Sequence, residues 1–418
     1  MQFQLPSPSG KPGSFARACR RLLLVGLALS QFLTAPAAQS PAFQSPGSTS
    51  RSTIGQTTRF STEFNPAIGA VIDLVADYVD AEAYDGFDAS LRLFELNVSS
   101  YIDPVTWAYV AIASEDGESP TVEEAAIEYT GLSGNQSLKA GRFFVDFGKQ
   151  MQQHAEELRT LERPLPLREY LGAELGGVGL QYDNWFAAGD ATPVRLSLGV
   201  FTSLSGEGHH HEEGHEEEPD LETSVPARKD IDEFSLTARL TGMTDVGETG
   251  LLQLGASARL VPEYSLEYHP EELESTGLSN SVFGLDATFS RSNETGLKTL
   301  LLGGEYLVFS GDLAGELDDP LGSSSIEVVH DDVAGFYLFG DYGWDGSNSV
   351  GVQYAMADLP ESPDADTTEL DIYWTKNLTE YRRLRLGVTF GDMDGEDSTR
   401  IYLQFTNYFG NHSHGLNW

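Results

Sequence analysis

The greatest chemical capacity in the sequence is concentrated at Gly206–Asp220, GEGHHHEEGHEEEPD. His209, His210, His211 and His215 stand among Glu212, Glu213, Glu216, Glu217 and Glu218. Neutral imidazole suits Zn2+, Cu2+ or Ni2+, and carboxylates add oxygen ligands and negative charge. The expectation is loose metal capture by an outer loop, Zn2+ included, with His209, His210, His211, His215, Glu212 and Glu213 as ligands. No cofactor is required. Adjacent histidines between glycines do not impose a tetrahedral frame, and the lone Cys19 cannot build a Cys/His structural site. The letters from His211 to His215 also spell H-E-x-x-H, which makes a zinc protease only on a helix. Gly208, Gly214 and the run of like charges oppose a helix here.

A second stretch, 144–175, reads FVDFGKQMQQHAEELRTLERPLPLREYLGAEL. Met151, His154, Leu158 and Leu161 recur at roughly helical spacing, and Pro164 and Pro166 are expected to stop any helix. A long connection with a partly apolar face folds against something. If the surrounding chain is a barrel, its inside is the available surface. That places His154, Glu156, Glu157 and Arg163 near a pore constriction. No other catalytic set emerges, since neither G-x-S-x-G nor a P-loop occurs. A Ser–His hydrolase on a barrel wall needs the pair on adjacent inward positions. The histidines at 154, 209–211, 215, 269, 330, 412 and 414 fall in expected loops and tails, so no enzyme is expected.

The elements that must position these groups are strands. Phe234, Leu236, Ala238 and Leu240 alternate with Ser235, Thr237, Arg239 and Thr241. Leu384, Leu386, Val388 and Phe390 alternate with Arg383, Arg385, Gly387 and Thr389. Successive side chains on a strand point to opposite faces, so each such segment has one apolar and one polar face. About sixteen segments of this kind are centred near 71, 96, 109, 126, 139, 179, 197, 237, 254, 286, 303, 338, 352, 372, 387 and 404. Connections alternate between short (Asp103–Val105, Trp344–Ser347, Asn377–Arg382) and long (Phe144–Leu175, Ser203–Ile231, Leu260–Asn280, Ser310–Asp332, Ala357–Thr368). Short turns on one rim and long loops on the other characterise outer-membrane barrels, and a soluble sandwich gives no reason for them. The fold expected is all-β, a transmembrane antiparallel up-and-down barrel wide enough for an aqueous lumen. Its polar phase would line the pore with Asp73, Glu95, Arg195, Arg239, Asp286, Glu305, Asp371 and Arg385, and also Asp77, Arg259, Arg383 and Arg400. A lumen lined by both signs of charge suits small polar solutes.

Domain organisation follows from composition. Lys11, Arg17, Arg20 and Arg21 precede the apolar run Leu22–Leu33 and then Ala35-Pro36-Ala37. That order describes a secretory signal peptide over 1–38. Residues 39–62, rich in Ser, Pro, Gln and Thr, read as a flexible lead-in, and 63–418 as the barrel. The formal net charge of −39 excludes nucleic acid as a partner.

GRFFVDFGKQ at 141–150, ERPLPLREYLG at 162–172, FNPAIGAVIDLVADY at 64–78 and the tract 93–131 resemble a group of Gram-negative outer-membrane proteins. Its members are described as porin-like or as zinc-regulated outer-membrane receptors. The resemblance implies a bacterial outer-membrane barrel with lipid around it and small solutes or metal ions inside. Residues 39–63 are too few for the plug domain of a TonB-dependent receptor, and the acidic chain departs from the Lys/Arg-rich pores of phosphate-selective porins. Two functions follow: a channel for small polar solutes or ions, or a surface metal receptor that uses the barrel as a platform. Many porins are trimers, so a homotrimer is the assembly that the resemblance suggests.

Overall fold

The computed structural model describes residues 66–410, apart from 82–84, 173, 190–191, 207–220, 225–229, 269–272, 319–323, 361 and 394. The strand Ser235–Val246 shows how the period-two pattern becomes a wall. Ser235, Thr237, Arg239 and Thr241 are buried, whereas Leu236 is 42% and Leu240 47% exposed. A water-soluble sandwich buries the apolar phase and exposes the polar one. Here the order is inverted, as in a barrel whose apolar face meets lipid. The same inversion recurs at Leu198, Leu254, Leu285, Leu338, Val352 and Ile372, all exposed.

In chain order the strands are β1 (Ala67–Asp80), β2 (Asp85–Asp103), β3 (Thr106–Glu115), β4 (Thr121–Tyr129), β5 (Gln136–Phe144), β6 (Leu175–Ala188) and β7 (Thr192–Phe201). Two short pieces follow, β8 (Ser205–Gly206) and β9 (Leu221–Ser224). The remainder are β10 (Ser235–Val246), β11 (Gly250–Tyr268), β12 (Leu273–Ser292), β13 (Thr299–Asp318), β14 (Ser324–Gly343), β15 (Asn348–Leu359), β16 (Ser362–Thr379), β17 (Arg382–Met393) and β18 (Glu396–Gly410). Each long strand pairs antiparallel with the next, and β7 pairs directly with β10. β1 pairs with β18 from Gly69↔Gly410 to Asp80↔Thr399, which closes the sheet. The result is a closed antiparallel barrel of sixteen strands. β8 and β9 add only short edges to β6 and β11.

One rim is made of tight turns pinned by acidic side chains. Asp103 accepts from Val105 N and Thr106 Oγ1, both at 2.9 Å. Asp345 accepts from Ser347 N (2.9 Å) and Asn348 N (2.7 Å), and Gly346 takes the left-handed conformation the turn requires (φ 76°). The opposite rim departs from the expectation of irregular loops at 260–280, 310–332 and 357–368. There the strands run on, β11 with β12 as far as Tyr268↔Leu273, and β13 with β14 as far as Asp318↔Ser324. A hairpin satisfies its own backbone hydrogen bonds as it rises, which an open loop cannot do. Among the described residues, the long strandless connection is 145–174, and it turns inward. No helix among the described residues is long and apolar enough to cross a membrane.

Candidate functional site

The inward segment 145–174 holds a 3-10 turn at Ala155–Glu157 and one helix, α1 (Leu165–Leu171). This reverses the expected role of the prolines. Pro164 is the N-cap and Pro166 lies in the first turn of α1. The first turn lacks intrahelical partners for its N–H groups, so proline starts a helix there at no cost. Gly172 ends α1 at φ 81°. The stretch expected to be helical, 151–161, is helical only in its 3-10 turn. Met151, Leu158 and Leu161 are nevertheless buried.

Leu161 packs with Val75 and Tyr402, whereas Met151 meets a patch of wall the alternation did not reveal. Phe143, Val145, Phe147, Met151, Leu165, Leu167, Tyr170 and Leu171 pack with inward Val282, Leu307, Phe309, Val333, Tyr337 and Phe339 of β12–β14. Those inward positions were expected to be polar. They are apolar because the segment, not water, covers them. Each large side chain buried this way stabilises the inward fold by about 1.5–3 kcal/mol. Tyr170 Oη also donates to the Asp358 carbonyl at 2.9 Å.

Polar anchors surround this core. His154 is buried, with Nδ1 3.1 Å from Glu95 Oε2 on β2 and 3.3 Å from Glu123 Oε2 on β4. Its Nε2 lies 3.1 Å from Glu124 Oε2. Carboxylates on both ring nitrogens call for two N–H donors, which is the imidazolium form. Burial pulls the His154 pKa down, but the charge of Glu95 and the hydrogen bonds to Glu123, Glu124 and Glu95 outweigh it and hold the group well above 6.5. Consecutive Glu123 and Glu124 can both approach because the β3–β4 register slips between Ala111↔Glu124 and Ile112↔Val122, inserting one residue into β4. Glu124 Oε1 is held by Tyr109 Oη (3.1 Å) and Phe144 N (3.0 Å).

Further round the wall, on β7 and β10, Asp146 Oδ2 lies 2.8 Å from Arg195 Nη1, and its Oδ1 lies 3.3 Å from Arg239 Nε. Those arginines also hold Asp183 and Asp286, each at 2.8 Å. Lys149 donates through its backbone to Glu305 and through Nζ to Gln253 at 2.7 Å. Elsewhere Arg92 links Asp73 (2.6 Å) to the carbonyls of Leu161 and Ala155, both at 3.0 Å. Arg168 bridges Glu162 (2.7 Å) and Glu369 (2.8 Å), Arg400 reaches Glu162 at 2.8 Å, and Arg383 donates to the Glu156 carbonyl. Arg385 Nη1 donates to Gln404 Oε1 at 3.0 Å and to the Thr160 carbonyl at 3.4 Å. The segment is therefore bonded to wall strands all round the lumen.

Of the four residues expected at a constriction, His154, Glu156 and Arg163 are buried, and Glu157 is partly exposed at the end of the 3-10 turn. Arg163 reaches the Gln153 carbonyl and Glu174. The eight residues expected to line a pore, Asp73, Glu95, Arg195, Arg239, Asp286, Glu305, Asp371 and Arg385, are all buried. The metal-capture residues His209, His210, His211, His215, Glu212 and Glu213 lie outside the described residues. Within them, Glu95, His154 and Glu156 bring ligand atoms within 4.8 Å of one another, as do Glu115, Glu123 and Glu174. A ligating imidazole must first lose a proton, so the first group reads as an ion-pair cluster. Sequence reasoning missed Arg92, Glu123, Glu124, Asp146 and Arg168. Only Glu123-Glu124 on an otherwise alternating strand carried a signal, a break in phase that marks a bulge.

Barrel size, closure and inverted burial together define a closed sixteen-stranded antiparallel barrel with an apolar outer face and an inward connection after the fifth strand. Among solved structures, the anion-selective porin from Comamonas acidovorans is similar at TM-score 0.52 and 13% identity, over 82% of this chain and 99% of that one. OprB of Pseudomonas putida is similar at TM-score 0.52 and 10% identity, over 83% and 94%. The outer membrane channel DcaP of Acinetobacter baumannii is similar at 0.50 and 12%, over 82% and 97%. At such identities the likeness establishes the fold. No protein-family model matches the sequence, and no curated protein is similar to it in sequence.

Proposed function

We propose that the chain is a porin-like channel of a bacterial outer membrane that passes small polar solutes or ions. The observation that carries this reading is the segment 145–174, anchored across a charged lumen whose outer wall is apolar. A lumen crossed in this way admits small solutes and turns away large ones, and its paired charges give polar solutes a hydrated path. Lipid is then the partner of the outer face, and a homotrimer is the assembly proposed by analogy with other porins. The test is single-channel recording from the purified chain in planar bilayers. Ohmic steps with cation preference, as the acidic chain suggests, are the expected result. Silence at every voltage overturns the channel.

A second reading has one specific feature behind it, the His209–His215 cluster. It makes the barrel a platform for a zinc- or metal-binding outer loop, and it predicts zinc binding in a chain that conducts nothing.

A further inference from the structure

His330, expected in a loop, lies on β14, where the strand register sets Asp312↔His330 and Ser310↔Asp332. Ser310, Asp312 and His330 therefore share the outward face of the β13–β14 hairpin. His330 Nδ1 donates to Asp312 Oδ1 at 2.9 Å, and Ser310 Oγ stands 3.4 Å from His330 Nε2. Asp312 is itself fixed, its Oδ2 accepting from Ser279 N (3.0 Å) and Ser279 Oγ (3.1 Å) on β12. A nucleophile, a base on its hydroxyl and an anchored carboxylate orienting that base form the arrangement that activates serine on many unrelated folds. The Ser–His distance is at the loose end of a hydrogen bond, as is common without substrate.

The position of the set indicates what it would act on. Outward Leu302 and Tyr306 on β13, Phe283 and Leu285 on β12 and Leu338 on β14 are exposed and apolar. Polar side chains replace them further along each strand, at Ser281, Ser310 and Asp332. That boundary is where hydrocarbon gives way to headgroups on such a barrel. His330 is 57% exposed in its side chain, so the site is open.

We propose that Ser310, His330 and Asp312 form an esterase site on the outer face of the barrel, directed at the acyl esters of membrane lipids. Ser310 Oγ attacks the ester carbonyl carbon while His330 Nε2 takes its proton. The tetrahedral adduct collapses, the bond to the alcohol oxygen breaks, and His330 returns the proton to that oxygen. Water then attacks the acyl-serine with His330 again as base, releasing a fatty acid and restoring Ser310. The lipid assignment rests on the outer-membrane reading, whereas the nucleophile assignment does not.

Two measurements separate them. The full chain, folded in detergent, is treated with a fluorophosphonate probe and the labelled residue is located by mass spectrometry. Label on Ser310, absent in Ser310→Ala and slowed about a hundredfold in His330→Gln, is expected from loss of a general base. Folding of each variant is checked by circular dichroism, and Ser349→Ala, on β15 next to the short-turn rim and opposite Gly343, serves as the control that retains labelling. No label at Ser310, or equal labelling without His330, overturns the site. Fatty acid released from phosphatidylethanolamine vesicles carrying the wild-type chain, but not the Ser310→Ala chain, is the second expected result. Labelling without such release, alongside hydrolysis of a soluble nitrophenyl ester, overturns the lipid assignment alone.

Discussion

Replacing His154 with glutamine removes the cation held among Glu95, Glu123 and Glu124 while keeping a side chain of similar reach. In the native protein those carboxylates stand 3.1, 3.3 and 3.1 Å from the ring nitrogens. Breaking a buried ion pair by deleting one partner costs about 3–5 kcal/mol, because the remaining charge stays buried and uncompensated. Glu95 keeps Asn97, and Glu124 keeps Tyr109 and the Phe144 amide, so the figure for a single pair applies rather than three times that. At 1.4 kcal/mol per factor of ten, the displaced state of segment 145–174 should rise roughly a hundred- to several-thousand-fold. Limited trypsin digestion of the folded barrel reads this directly, since cleavage after Arg159 and Arg168 tracks the open population when opening is fast. Single-channel recording should show a larger or noisier conductance in parallel. A variant cut no faster than wild type, with unchanged conductance, would refute the role given to His154. The pH dependence has a definite sign. The folded pKa is raised, so the stabilisation is complete below about 6.5 and is lost only as pH climbs through the raised value. Protection of the segment should persist through neutrality and fall in alkali.

Deleting residues 209–215 should abolish zinc binding measured by calorimetry while leaving the barrel folded; unchanged affinity removes the metal-capture expectation. Gly172→Ala places a side chain at φ 81° and ψ 167°, a region open almost only to glycine that costs an L residue about 1–3 kcal/mol, and should raise trypsin sensitivity of the segment about five- to a hundredfold. For the outer site, Asp312→Asn removes the partner that orients His330 Nδ1 at 2.9 Å and should slow labelling of Ser310 at neutral pH; an unchanged rate argues against the contact.

The wall of the barrel was legible residue by residue. Leu236 and Leu240 outside with Thr237 and Arg239 inside is a consequence of pleat alone, and all the expected strand centres fall within the long strands. The presence of a long connection after the fifth strand was equally plain, as were the inward directions of Asp73, Glu95 and Arg385. Less was visible where two distant segments meet. Val282, Leu307 and Phe309 break no local rule until the inward segment lies on them. Pro164 and Pro166 can end a helix or begin one, and only the docking of Leu165, Leu167 and Leu171 decides between those outcomes.

Sequence alone determined the period and the polarity of each face, because these depend on neighbours one or two positions apart. Tertiary structure decided which charges pair, since His154 meets Glu95, Glu123 and Glu124 through strand register and a bulge that no local pattern measures. It also decided that Ser310, Asp312 and His330 share one face. Residues about twenty positions apart become neighbours only once a hairpin has set its register, and a one-residue slip would turn His330 to the other side.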